Sequence, residues 1–375
     1  MNVRPDRKCL LALSKDHGSV QSIVPVVAAL KEKKYDVNFL LPIGCLDVAT
    51  MFDLVFETFD EQAFLFAPEA YIAKLFDEFN PTLLLTGSSL ASGVRPETPE
   101  QFAIRESHRR NIPSVVVLDY WGMYEERFCS HNGIVDHALL PNIICALDHR
   151  CREDLLRLGV PPERVVITHN PWLDSVVKHV YKSLPPPNLL NSQVWRVAYV
   201  SQPLKKFMQN ETLTLQHKLL ELLVSALPQL KYHKHSVLVL KHPAEPEERW
   251  QDCGQFSSPN VEVSLTQERG FDVLEHVDIV VSVNSTTAFE ALHMGTPCLS
   301  LRMELPVPRL YIDELGLSTI VSNHDELQVL LGSTNPSKLR LQLSKLRKHW
   351  YNKGLFFSDG KATDRVMAVI LKLIE

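Results

Sequence analysis

The strongest constraint on this chain is a repeated alternation of short, wholly apolar runs with segments of helical periodicity. Cys9–Leu13 has the length of a buried strand, and Ser19–Lys31 follows with Val20, Ile23, Val27 and Leu30 near helical spacing. Val37–Leu41, Thr82–Thr86, Ser114–Leu118, Ile143–Ala146 and Arg164–Thr168 continue the strand series, with helices predicted at Glu69–Phe79 and Pro99–Arg110. Apolar runs without polar alternation suit strands covered on both faces, and the intervening helices supply the crossovers of a parallel sheet. The fold class is α/β, built from doubly wound, Rossmann-like units.

The alternation breaks at Leu184–Asn191, where three consecutive prolines favour a stiff extended connector. A second series then predicts strands at Trp195–Ser201, Val237–Lys241, Val261–Val263, Ile279–Ser282, Pro297–Leu301 and Thr319–Val321. Its helices are expected at Glu211–Ala226, Thr287–Met294 and Asp325–Leu331, with Lys338–Tyr351 and Thr363–Ile374 closing the chain. The expected organisation is an N-terminal α/β domain over 1–183, a proline-rich linker over 184–194, a C-terminal α/β domain over 195–350 and a closing helical segment over 351–375. Two such domains predict a cleft, with ligands at the C-terminal ends of the strands.

Composition narrows the partners. At 375 residues two domains are the natural expectation. Charged residues make up 22% and apolar ones 45%, the balance of a globular protein. No apolar run approaches the ~18 residues of a membrane helix, and the opening apolar stretch is too short for a signal-peptide core. A cytoplasmic protein with no integral membrane segment is the expectation. The net charge of −5 and the lack of a basic stripe argue against nucleic acid but permit a small phosphate-bearing ligand. The seven cysteines are scattered without metal-ligand spacing, so no metal site is expected.

Ile279–Glu304 is the most informative stretch. A buried strand ends in the polar turn Ser282–Asn284, and Ser285, Thr286 and Thr287 stand where a helix begins. Free backbone N–H groups, a positive dipole end and hydroxyls make such a turn a ready anion site. Glu290 falls one turn further, where a carboxylate can accept two sugar hydroxyls. His242 follows a strand and can donate to a phosphoryl oxygen as a leaving group gains charge. Ser201 ends the first strand of the second series. In the first half, Ser14–Ser19 joins strand to helix, making Asp16 and His17 candidates for general base, with Gly18 allowing a tight turn beside a ligand. Ser88 in Thr86–Ser89 offers a hydroxyl to an acceptor. Leu118–Phe128 carries Asp119 and the aromatics Tyr120, Trp121 and Tyr124, which are suited to stacking on a sugar or to packing.

Several of these segments resemble one superfamily. Ser285, Thr286 and Glu290, followed by Gly295-Thr296-Pro297, are similar to the nucleotide-binding unit of GT-B glycosyltransferases and of UDP-N-acetylglucosamine 2-epimerases. In those proteins the Ser/Thr turn holds the diphosphate and the glutamate holds the ribose. Arg302 and Glu304 resemble part of a later epimerase run, from which Leu305–Pro308 departs. His242-Pro243 is similar to the His-Pro of epimerases and of CDP-glycerol-type transferases, which lies at the diphosphate. Val165–Asp174 resembles the segment that ends the N-terminal domain, with His169 in place of a glycine, and Ser358–Val366 resembles the opening of the closing helix.

The resemblance implies a substrate of nucleotide-diphosphate-sugar type and no cofactor. Its partners would be that nucleotide sugar and a glycan or other hydroxyl acceptor, with a homodimer allowed. The reaction expected first is glycosyl transfer, metal-independent and inverting, since Ser282 stands where retaining enzymes place a glutamate eight positions before Glu290. Asn284, Ser285, Thr286, Thr287, Ser201 and His242 would bind the nucleotide sugar with Glu290. Asp16, His17, His242 and Asp119 are the catalytic candidates, and Gly18, Ser88, Tyr120 and Trp121 the acceptor-binding ones. The alternatives are a nucleotide-sugar 2-epimerase, whose N-terminal carboxylate motifs are altered here, a CDP-polyol phosphotransferase, and a non-catalytic nucleotide-sugar-binding protein.

Overall fold

A computed structural model of the chain describes residues 8–91, 97–130, 132–182, 194–202, 215–229, 234–242, 245–266, 270–283, 285–303, 305, 309–355 and 358–375. The proline run at 185–187 and residues Pro243, Asn284 and Glu304 lie outside them.

The chain forms two compact units, Met1–Ser175 with Gly354–Glu375, and Val176–Lys353. Among the described residues, the first holds seven strands: β1 (Cys9–Leu13), β2 (Asp36–Leu41), β3 (Glu57–Thr58), β4 (Leu83–Thr86), β5 (Ser114–Val117), β6 (Ile143–Ala146) and β7 (Val165–Ile167). They pair in the order β3-β2-β1-β4-β5-β6-β7, all parallel. β1 sits centrally, Leu10 opposite Val37 on one side and Leu83 on the other. Leu10, Leu11 and Ala12 are fully buried, as expected of a strand with helices over both faces.

The second unit repeats the plan with β8 (Val194–Val200), β9 (Lys234–Leu240), β10 (Val261–Leu265), β11 (Ile279–Ser282), β12 (Cys298–Leu301) and β13 (Ser318–Val321). Its parallel order is β10-β9-β8-β11-β12-β13. Trp195, Tyr199 and Trp250 fill its core together with Leu220, Leu223 and Val281. In each sheet the order reverses beside the first strand, at β1/β4 and at β8/β11. Loops leaving the two strands of such a reversal diverge to opposite faces and leave a crevice at the strand ends.

The strands and helices that the sequence predicts stand within a few residues of their expected places among the described residues. Thr287–Met294 is a helix as read, and the helix Glu211–Ala226 is described from Leu215 onward. Short helices such as Leu46–Thr50, Glu61–Phe66 and Tyr124–Phe128 were not predicted. Each is about one turn, too brief to establish a 3.6-residue period. Two longer ones, His149–Leu158 and Pro171–Lys182, were also missed.

The closing helix Ala362–Ile374 belongs to the first unit. Buried Asp174 accepts the Thr363 amide at 2.8 Å and its hydroxyl at 3.1 Å, capping that helix from 189 residues away. Asp359 pairs with Arg365 at the same end. The resemblance over Ser358–Val366 therefore marks a docking joint of the fold. His169 has φ +66°, so the backbone keeps the left-handed turn a glycine would favour, with an imidazole in its place. Burial, helped by the Arg365 charge, lowers that His to about 4, leaving it neutral at physiological pH. Among the described residues no helix is long and apolar enough to cross a membrane.

Candidate functional site

In the first unit the ends of β1, β4 and β5 lie side by side and carry Ser14–Asp16, Gly87–Ser89 and Leu118-Asp119. Asp16 precedes the helix His17–Glu32 without capping it. Its carboxylate instead accepts the Leu90 amide at 3.2 Å, while its own amide donates to Ser89 Oγ at 2.9 Å. Burial above all, then the charge of Glu100, pushes Asp16 up to about 6. Asp119 adds to the rise, and Lys15 with the Leu90 amide opposes it. Asp119 is held by Ser88 Oγ at 2.7 Å and by the buried guanidinium of Arg127 at 3.2 Å. Its second oxygen would lie 3.0 Å from a Cβ at Gly18, so a bare glycine lets the first turn of the helix approach that carboxylate.

Gly87 is the tightest point. A Cβ there would meet the Ser19 carbonyl oxygen at 2.5 Å and Ser14 Oγ at 2.6 Å. Backbone cannot yield as a flexible side chain can, so Gly87→Ala should cost about 1–3 kcal/mol by overpacking. Urea unfolding should show a lower midpoint, and an unchanged midpoint would contradict this reading of the joint.

The remaining candidates of this unit fall differently. His17 faces Asp47 at 3.5 Å, and both side chains are about one-third exposed. Trp121 is buried with its indole N–H on Asp148 Oδ2 at 2.9 Å, and Tyr124 is buried as well. Two of the three rings considered for sugar stacking are thus committed to packing; Tyr120 is only partly buried. Cys45, whose thiol points to the Lys15 carbonyl, is pushed up to about 12 by burial and by Asp47 and Asp16, so it stays protonated at neutral pH.

In the second unit β9, β8 and β11 are neighbours, and His242, Ser201 and Ser285 follow their respective ends. Ser285, itself buried, accepts the Thr287 amide at 3.2 Å. Thr286 is exposed, Thr287 opens the helix Thr287–Met294, and Glu290 is buried within that helix at 8% exposure. Hydroxyls and amide donors at a helix start, with a carboxylate one turn in, can receive phosphate and sugar hydroxyls respectively.

Two residues that the sequence reading missed organise these loops. Glu100, in the first turn of the helix Pro99–Arg109, binds the β1 and β4 loops together. Glu245, 3% exposed, accepts from Ser201 Oγ at 2.9 Å, the His242 amide at 3.1 Å, Arg249 at 2.9 Å and the Trp250 indole at 3.3 Å. The Thr98–Gln101 capping box was the available signal that Glu100 sits at a helix start. It carries no sign of which residues that end would meet. Among the described residues no group of His, Cys, Asp and Glu is placed to hold a metal ion.

Two parallel doubly wound units in tandem define the GT-B class of architecture, a fold seen in solved glycosyltransferases and UDP-GlcNAc 2-epimerases. Among solved structures the chain is similar to the UDP-GlcNAc 2-epimerase of Neisseria meningitidis bound to UDP-GlcNAc, with TM-score 0.64 and 14% identity over 97% of this chain and 100% of that one. It is similar to the Methanocaldococcus jannaschii UDP-GlcNAc 2-epimerase, with TM-score 0.65 and 13% identity over 97% and 99%. It is also similar to the calicheamicin glycosyltransferase CalG4, with TM-score 0.60 and 12% identity over 98% and 99%. At such identities the likeness is one of fold. No protein-family profile and no curated protein sequence matches the chain.

Proposed function

We propose that the chain is an enzyme acting on a nucleotide-diphosphate sugar, with 2-epimerisation the reaction its geometry supports best. The observation that carries this is the pair Asp16 and Asp119, on the loops after β1 and β5 beside the reversal point of the first sheet. Asp16 titrates near 6, and Asp119 is anchored by Arg127 and Ser88. Epimerisation needs one group to take the C2 proton while the diphosphate leaves C1 with the bonding electrons. It then needs a group to return a proton to the opposite face of C2 as the diphosphate re-adds. Two carboxylates in unlike environments suit that exchange of roles. Asp16, partly protonated near neutrality, gives or takes the proton, and Asp119 is its counterpart. Ser285, Thr286 and the helix start receive the diphosphate, His242 donates to it as charge builds, and Glu290 holds the ribose.

Glycosyl transfer remains the second reading because a single base of pKa near 6 also suits activation of an acceptor hydroxyl. The burial of Trp121 and Tyr124 weighs against it by removing much of the expected acceptor wall. The two separate when UDP-, GDP-, CMP- and CDP-linked sugars are each incubated alone in deuterated water. A C2 epimer carrying deuterium without any acceptor supports epimerisation, nucleotide release only with an acceptor supports transfer, and inert donors throughout would overturn both. Within either reading, Glu290→Ala should raise the donor KM about 10- to 100-fold, the loss of a charged hydrogen-bond acceptor. His242→Ala should lower kcat about 100-fold. Steady-state kinetics of both variants check the assignment.

A further inference from the structure

Glu100 is 3% exposed, and its two oxygens are treated unequally. Oε1 accepts from Ser14 Oγ at 3.0 Å, from the Lys15 amide at 2.8 Å and from Ser89 Oγ. Ser89 Oγ in turn receives the Asp16 amide and meets Ser19 Oγ at 2.7 Å, and Ser19 donates to the Asp16 carbonyl at 2.9 Å. Oε2 is buried without a hydrogen-bond partner. A purely structural tie would be served by a neutral acceptor, because burying an oxygen of a carboxylate unpartnered is costly.

We propose that Glu100 is a positioning residue for Asp16: through Ser14, the Lys15 amide and Ser89 its carboxylate locks the loops after β1 and β4 in register, and Ser89 carries that tie to the Asp16 amide. The Glu100 charge then helps set where Asp16 titrates, second only to burial. The other groups facing Asp16 are Lys15 on its own loop, which acts oppositely, and Asp119 after β5, whose charge is shared with Arg127. On the side of the helix Leu46–Thr50, Cys45 is neutral and Asp47 faces His17.

This inference rests on Asp16 as the acid–base group of the proposed reaction. The test is a carbon-13 carboxyl titration of Asp16 in the full ligand-free chain, assigned with Asp16→Asn. Glu100→Gln keeps a carbonyl acceptor for the three donors and removes the charge. The Asp16 midpoint should fall by roughly half to one pH unit, and the acid limb of kcat should move with it. Ser89→Ala, which removes the tie but leaves the charge, should lower kcat while the midpoint stays raised. An unmoved Asp16 midpoint in folded Glu100→Gln would overturn the proposal. If that variant does not fold, undiminished kcat in Ser89→Ala overturns it instead. A moved midpoint in a protein inert toward every nucleotide sugar would support the role of Glu100 and overturn the proposed reaction.

Discussion

Asp16→Asn is expected to lower turnover by about 10²- to 10⁴-fold and, at the same time, to make the protein more stable above pH 6. The sign follows from the direction of the shift. Asp16 titrates near 6 in the fold against an ordinary 3.8, so folding favours its protonated form. The stability that form contributes is fully present below pH 3.8 and is lost as pH rises through 6. At pH 8 the fold carries a largely buried charge at a cost of about 3 kcal/mol. Asparagine is neutral at every pH and keeps an oxygen for the Leu90 amide, which Asp16 now accepts at 3.2 Å. The variant should therefore melt several degrees above the parent at pH 8 and close to it at pH 4. Equal melting temperatures at pH 8 would show that the carboxylate is not held against its own ionisation. A gain in stability paired with a loss of activity is the signature of a group kept for chemistry rather than for the fold.

The second large effect belongs to Glu245. Its carboxylate, nearly inaccessible, faces the Arg249 guanidinium, whose side chain is only 8% exposed. Glu245→Ala leaves that cation buried without its partner, which should cost about 3–5 kcal/mol. It also frees the Ser201 hydroxyl, 44 residues away in sequence, and the nearby His242 amide, which now share the carboxylate. A calorimetric scan should show the second unit, Val176–Lys353, melting earlier while the first is little changed. Glu245→Gln keeps an acceptor and should lose less stability yet still raise the donor KM, because Arg249 no longer meets a charge. If Glu245→Ala unfolds at the parent temperature and binds nucleotide as before, this carboxylate does not organise the strand ends.

The local sequence was enough to read most strands and many of the helices of both units, though not His149–Leu158 or Pro171–Lys182. Hydrophobic period is set by each element's own contact with the core, so Leu10–Leu13 or Ile279–Ser282 announce themselves without knowledge of their neighbours. The candidate loops were legible for the same reason: strand ends and helix starts are local events, and Ser14–Ser19 and Ser285–Thr287 stand at both. Asp16 and Asp119 could be named one at a time, but not as a pair, since 103 positions separate their numbers and only the neighbouring places of β1, β4 and β5 bring them to one edge.

Glu100 and Glu245 were illegible for a different physical reason. A glutamate in the first turn of a helix reads as an ordinary N-terminal charge, and one in a proline-flanked loop reads as solvated surface. What makes each important is burial against donors 86 and 44 residues away. The aromatic segment shows the converse. Trp121 and Tyr124 carry the same signal whether a ring faces a ligand or the core, and it is the packing around Asp148 and Cys151 that turns them inward. By itself the sequence determined the two α/β units and the loops where chemistry can sit, because periodicity and capping are properties of a few consecutive residues. Only the tertiary structure decided which carboxylates are buried and which oxygens are left bare, because burial depends on neighbours that chain order does not reveal.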